Sequence, residues 1–260
     1  MKILLKLILL FITAFPIIAQ QQYDNENDFL IEILNTRSVD NPRCILITGY
    51  QGNNTIVRIP PRIRNLPVSI IGERAFLQKN LTGVIIPDSV TLISAGAFAY
   101  NKLTSIVIPN SVTQIGVIAF EGNQLESVVI PNSITMITVG AFRRNRLTNI
   151  VIPNSVIEIH REAFAENQLT TLNIPNSVTH IGERAFAENQ ITSVIIPNSV
   201  THLGNRAFII NPLTYVEIPN SITNMGNHPF PLGLMDFYIN NRRRAGKYTY
   251  NGNSWSMRER

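Results

Sequence analysis

Leu103-Thr104-Ser105-Ile106-Val107-Ile108-Pro109-Asn110-Ser111-Val112, continued by Ile115-Gly116, Ala119-Phe120 and Asn123, is one unit of a pattern that fills most of this chain. Phe120 belongs to a set of eight phenylalanines spaced 22 residues apart: Phe76, Phe98, Phe120, Phe142, Phe164, Phe186, Phe208 and Phe230. Seven prolines keep the same step from Pro87 to Pro219. A fixed period of this length marks one supersecondary coil that cannot bury its own apolar face, so neighbouring coils must stack into a continuous core. The chain is therefore read as a solenoid.

Within the unit, strand alternation sends Ile106 and Ile108 inward and Ser105 and Val107 outward. Pro109 has no amide hydrogen and a fixed φ, so it ends the strand, and Asn110-Ser111 turns the chain before Val112 and Ile115 re-enter the core from the other side. The serine column from Ser89 to Ser221 is expected to bond backbone between coils. Ala119-Phe120 is expected to close the coil through a short helical or 3₁₀ turn, with the rings stacked. At about 4.8 Å per rung, the seven steps from Phe76 to Phe230 predict a rod of about 34 Å.

The spacing Leu103-x-x-Ile106-x-Ile108-x-x-Ser111 follows the leucine-rich-repeat pattern, with serine in place of asparagine. Ile-Pro-Asn-Ser-Val followed by Ile-Gly and Ala-Phe resembles the BspA-like, or Treponema-type, leucine-rich repeat, over roughly residues 56 to 232. The resemblance implies a right-handed solenoid of about 22 residues per coil with a parallel β-sheet face. It also implies a bacterial secreted or cell-surface protein engaged in protein binding or adhesion, and no catalytic residue. The ending Arg244-Ala245-Gly246-Lys247-Tyr248-Thr249 is similar to that of spirochaete repeat proteins.

The ends depart from the period, as solenoid ends must if they are to cover apolar rungs. Lys2 and Lys6 precede an uncharged apolar run from Leu7 to Ala19, too short to span a bilayer, which reads as a secretory signal peptide over 1–19. Residues 20–55 form an amino-terminal cap: Phe29 to Leu34 and Cys44 to Ile47 flank Asp40-Asn41-Pro42 as a β-hairpin. Repeats follow over 56–232, the first with a five-residue surface bulge between Pro61 and Pro67. Residues 233–260 form a carboxy-terminal capping hairpin around Asn251-Gly252, with Trp255 over the last rung.

Composition excludes several function classes. The net charge is +5, and +3 without Lys2 and Lys6 (20 Lys and Arg against 17 Asp and Glu), too mild for nucleic acid or an anionic membrane. The lone cysteine, Cys44, forms no disulfide framework, stands too far from the leader to carry a lipid, and reads as a buried strand residue. After the leader, no segment offers a membrane span. G-x-S-x-G, phosphate-loop and H-E-x-x-H signatures are missing, and no cysteine has a placed histidine partner, so no enzyme and no cofactor is expected. His180 and His202 share a column about 5 Å apart, but two histidines do not close a metal site, so no metal is expected. Arg143, Arg144 and Arg146 form a basic knot that coil stacking pairs with Glu121 and Glu166. Arg242, Arg243 and Arg244 read as a solvated turn.

What remains is the outward strand column: Ile85, Val107, Val129, Val151, Asn173, Ile195 and Glu217, flanked by Gly83, Ser105, Ser127, Asn149, Thr171, Ser193 and Tyr215. Aliphatic residues on a face that meets water mark an interaction surface when contiguous; they also favour a parallel ladder simply by packing across rungs. The candidate protein-binding face is Val107, Val129, Val151, Asn173, Ile195, Tyr215 and Glu217, of which Asn173, Tyr215 and Glu217 each break their own column with a polar or aromatic group. The expected function is an exported, non-enzymatic module that binds a protein partner, host, matrix or envelope, through the sheet face. An inert envelope spacer and a carbohydrate-binding repeat protein are the alternatives, the latter short of exposed aromatics beyond Tyr215 and Tyr100.

Overall fold

A computed structural model describes residues 22–35, 43–240 and 243–259. The leader, the Asp40-Asn41-Pro42 turn and Arg242 lie outside the described residues. From Ile56 onward the chain winds as a solenoid of about eight turns, each contributing rungs to two parallel ladders. One ladder comes from the strand before each proline, such as Ser105–Val107 and Ser127–Val129; the other comes from the two residues before the Gly column, such as Gln114–Ile115 and Glu158–Ile159.

Alternation does what period two requires. Ile106 and Ile108 are buried and Val107 faces solvent. The eight phenylalanines are fully buried and stack face to face, with centroids 5.1–5.8 Å apart and planes within 16° of parallel. That step exceeds the spacing of hydrogen-bonded strands, so the phenylalanine column is longer than the strand spacing predicts.

The segment around each phenylalanine is a pair of turns rather than the helical or 3₁₀ turn expected. The amides of Arg74, Phe76 and Gln78 donate to the carbonyls of Ala95, Ala97 and Ala99 one coil on, while those of Ala75 and Leu77 close turns on Gly72 and Arg74. The backbone achieves this by placing the residues two before and two after the ring in the left-handed region: Arg74 and Gln78 at φ 54° each, Ile118 and Gly122 at 51° and 67°. The amides of the ring residue and its neighbours are thereby bonded without a helix.

The ladder of buried side chains is asparagine, not serine. Asn101, Asn123, Asn145, Asn167, Asn189 and Asn211 stand three residues after a phenylalanine and are buried. Each Nδ2 donates to two phenylalanine carbonyls, in its own coil and in the preceding one, at 2.7–3.2 Å. Each Oδ1 accepts the amide of the residue that opens its own coil, at 3.0–3.1 Å. Both amide hydrogens and the oxygen are thus satisfied, which is what lets a polar side chain be buried. In the serine column, Ser133, Ser155 and Ser221 donate to carbonyls of the preceding coil, but Ser89, Ser111, Ser177 and Ser199 have no protein partner for Oγ.

Two hairpins cap opposite ladders. Phe29–Asn35 and Arg43–Tyr50 pair antiparallel, and the latter joins Leu66–Ile71 in parallel, extending the Gly-column ladder at the amino-terminal end. Cys44 is buried there. The irregular first coil is a hairpin of its own rather than a bulge: Arg62–Ile63 folds back on Leu66–Ile71 through Arg64 and Asn65, both left-handed at φ 50° and 60°, the twist a two-residue hairpin turn needs. At the other end Gly246–Tyr250 pairs antiparallel with both Tyr215–Ile218 and Trp255–Arg258, extending the proline-side ladder. The helix Leu232–Asn240, which the periodicity did not predict, joins the last coil to this hairpin. Tyr248, fully buried against Phe237 and Tyr238, covers the end of the core; Trp255 is only partly buried and stands against Tyr250.

Candidate binding face

The outward column of the proline-side ladder is held in register by strand pairing. Val107 stands opposite Val129, Val129 bridges to Val151, Val151 to Asn173, and Ile195 stands opposite Glu217. Val107, Val129 and Val151 are 76, 72 and 75% exposed and Ile195 is 53% exposed. Asn173 is exposed between them, and Ile85, at the start, is partly covered. Ser105, Ser127, Asn149, Thr171 and Ser193 flank the column, all exposed and uncharged. In the next column, Thr104, Glu126, Thr148, Thr170 and Thr192, Glu126 is the single charge. The result is an apolar strip inside a rim of hydroxyls and amides, the layout of an interface core with a polar border.

The other two candidates belong elsewhere. Glu217 is 8% exposed, because Gly246–Tyr250 lies alongside its strand and sets Lys247 opposite it. Its carboxylate receives Lys247 Nζ at 3.3 Å and the hydroxyl of Tyr215. Each residue breaks its own column for a structural reason: both stand on the strand that pairs with the terminal hairpin.

Two members of the arginine knot, Arg143 and Arg144, are likewise consumed internally, while Arg146 is exposed. Arg143 donates to Glu162 Oε2 and Glu166 Oε1, each at 2.7 Å, and Arg144 donates through Nε to Glu166 Oε2 at 2.9 Å. Glu121 lies 3.9 and 3.8 Å from the two guanidinium groups. Glu162 escaped the sequence reading because stacking in steps of 22 places Ala165, not Glu162, beside Arg143; the long arginine reaches diagonally. Burial alone would raise Glu166, but hydrogen bonds from Arg144 and Arg143 outweigh it and hold its carboxyl below the ordinary range. The same hydrogen bond raises Arg144.

The model of the BspA-type leucine-rich repeat region matches residues 69–188 and 135–241, in six copies. The chain belongs to the BspA-type leucine-rich repeat family. Among solved structures, this BspA-type chain is similar to a leucine-rich cell surface protein of Faecalibacterium prausnitzii, at 27% identity and TM-score 0.65, over 92% of this chain and 61% of that one. A leucine-rich repeat protein of Bacteroides ovatus shares the fold at 24% identity and TM-score 0.53, over 78% of this chain and 68% of that one. The pneumococcal vaccine antigen PcpA shares it at 21% and 0.51, over 77% and 50%. The chain thus spans under two thirds of the Faecalibacterium protein. No curated protein matches it. BspA-type repeats are scaffolds of the interaction-module kind, and no helix among the described residues is long and apolar enough to cross a membrane.

Proposed function

We propose that this chain is an exported binding module that docks a protein partner on Val107, Val129 and Val151, with Asn173 and Ile195 extending the contact. The observation that carries the reading is three consecutive valines, each about three-quarters exposed, on a rigid ladder. A preformed apolar strip binds without first being ordered, so little of its contact energy is lost to conformational entropy. Tyr215 and Glu217 contribute by anchoring the hairpin rather than by touching the partner.

Export rests on the leader over residues 1–19, with support from the similarity to the Faecalibacterium cell surface protein. The ending Arg244 to Thr249 favours a spirochaete source. Protease treatment of intact cells tests location: loss of the protein without lysis places it on the surface, and survival until the envelope is opened places it inside.

The binding reading is tested with Val107→Thr, Val129→Thr and Val151→Thr combined, changes that keep β-branching and the ladder. The wild-type chain is expected to capture a protein from envelope, matrix or host extracts that the triple variant releases at least tenfold faster. Retention unchanged by the triple variant overturns the face. Failure to capture any protein from these sources favours the spacer reading.

A further inference from the structure

The terminal cap supplies the exposed aromatics that the repeats lack. Tyr250 and Trp255 stand opposite each other on the last paired rung of the hairpin, ring centroids 5.4 Å apart and planes at 40°. Tyr248, two residues earlier on the same face, is fully buried against Phe237 and Tyr238 of the helix, whereas Tyr250 is exposed. The aromatic face thus begins in the core and overhangs its edge. Between that overhang and the start of the helix lies a cavity of about 430 Å³, with Pro231, Gly233 and Phe237 on one wall and Tyr250, Asn253, Ser254 and Trp255 on the other. Small-molecule clefts run from about 300 to 1,000 Å³.

Gly233 keeps the cavity open. A Cβ there would stand 3.7 Å from Trp255 Nε1, already in contact with the indole edge, so atoms added beyond it would compete for the space beside the ring. Three polar groups on the hairpin wall have no hydrogen-bond partner among the described residues: the Asn253 carboxamide, the Ser254 hydroxyl and the Trp255 indole N–H. The turn itself is satisfied by other atoms, since Asn251 Oδ1 accepts the amides of Asn253 and Ser254 at 3.0 Å and the Tyr250 hydroxyl donates to the Gly252 carbonyl at 2.9 Å. The carboxamide and the serine hydroxyl can each donate and accept, and the indole donates. No residue lining the cavity carries a charge.

We propose that this cavity binds a neutral sugar, one pyranose ring of an uncharged glycan, stacked on Trp255 and Tyr250 with its hydroxyls met by Asn253, Ser254 and the indole N–H. An aromatic face is the negative side of a quadrupole, and the C–H face of a pyranose presents weakly positive hydrogens that pack on it. The hydroxyls at the sugar's edge both donate and accept, as the carboxamide and the serine do; a hydrocarbon ligand would desolvate those groups without replacing their water. A quaternary ammonium would use the same rings but finds no carboxylate in the lining. A proline-rich peptide needs a groove between aromatic walls, and Tyr250 and Trp255 pack on each other instead. The site shares no residue with the valine strip and stands or falls independently of it.

Trp255 is the sole tryptophan of the chain, so its fluorescence reports this site alone. The test titrates tag-free full-length protein with methyl β-glucopyranoside, methyl β-galactopyranoside, N-acetylglucosamine, cellotetraose and chitotetraose. At least one of these is expected to shift the emission saturably, while choline and an oligoproline peptide leave it unchanged. Asn253→Ala, which spares both rings, should weaken the binding at least fivefold. Gly233→Leu, which fills the cavity from a helix position that suits leucine better than glycine, should abolish it. Circular dichroism of both variants is expected to match the wild type, and Ile210→Asn, outside the cavity, should bind as the wild type does. No saturable shift with any of these sugars, a shift with choline or oligoproline alone, or wild-type affinity in either Asn253→Ala or Gly233→Leu overturns the proposal.

Discussion

Lys247 Nζ lies 3.3 Å from Glu217 Oε1, across the antiparallel pair in which the two residues stand opposite each other. The proline-side ladder would otherwise end in an open strand edge, a template for unwanted pairing. The hairpin closes it, and the charge pair sets its register.

The carboxylate of Glu217 is the buried member of that pair and Lys247 the half-exposed one. Removing the lysine strands a desolvated anion, whereas neutralising both partners leaves only polar groups behind. Lys247→Met should therefore cost about 1–2 kcal/mol, below the full penalty for a wholly buried pair because the lysine is partly solvated. Glu217→Gln in the same chain should recover part of the loss. Urea unfolding of the single and double variants measures the coupling, and strict additivity would mean that the pair does not fasten the hairpin.

The asparagine ladder leads to a contrast between two polar columns. Asn167→Ala leaves the carbonyls of Phe142 and Phe164 and the amide of Leu147 without partners in a dry interior. At about 1–3 kcal/mol for each stranded group, the loss should reach at least roughly 3 kcal/mol. Ser199→Ala removes a buried hydroxyl that has no protein partner and should be neutral or slightly stabilising. Thermal unfolding of the two variants decides whether asparagine or serine holds the coils together.

That contrast shows where sequence reading succeeds and where it stops. Phe76 through Phe230 and the prolines announce the coils because large apolar rings and absent amides each have one structural use at a 22-residue period. Periodicity alone assigns polar residues outward, so it gave the backbone-bonding role to serine at the turn and left unassigned the six asparagines whose hydrogen bonds are all met inside. Glu217 failed in the opposite sense. Its column is outward in every coil, and what buries it is a strand arriving from Gly246–Tyr250, beyond the reach of any repeat alignment. The helix Leu232–Asn240 was hidden by Gly233 and by aromatic and β-branched residues of low helix propensity; Pro231 at its start was the one cue available. In the His180–His202 pair the column was legible from the sequence, but the face-to-face stacking of the rings, 4.1 Å apart, was not.

Ile210 tests the turns. It occupies the column of Gln78, Tyr100, Gly122, Arg144, Glu166 and Glu188, with φ 55°, and its side chain is 64% exposed. A β-branched residue is the least suited to this left-handed conformation, at a cost of roughly 1–2 kcal/mol. Little packing is lost on replacing it. Ile210→Asn, which tolerates the conformation without the chain entropy of glycine, should stabilise the protein by about 1 kcal/mol, read as an upward shift in the urea midpoint. A destabilised Ile210→Asn would show that the exposed isoleucine makes contacts worth more than its strain.

Titration separates the two ends of the pH scale. Burial pushes Tyr248 up to about 12 from an ordinary value of 10.0, and burial also raises Tyr50 and Tyr238. Between pH 10 and 12 the unfolded chain has lost the Tyr248 proton while the folded chain keeps it. The unfolded state then binds fewer protons, and stability must fall as pH rises through that window. Tyr248→Phe removes this ionisation, so its stability should decline less steeply above pH 10, although the variant starts lower for want of the hydrogen bond to the Arg244 carbonyl. Glu166 works in reverse. Its carboxyl is held below the ordinary value of 4.5, so its contribution is complete above that pH and is lost as pH falls through the lower folded value. Glu166→Gln should flatten the acid limb between neutral pH and pH 3 without touching the alkaline one. Unfolding free energies measured from pH 3 to 12 for the wild type and both variants check the assignment, and an alkaline limb unchanged by Tyr248→Phe would place the titrating group elsewhere.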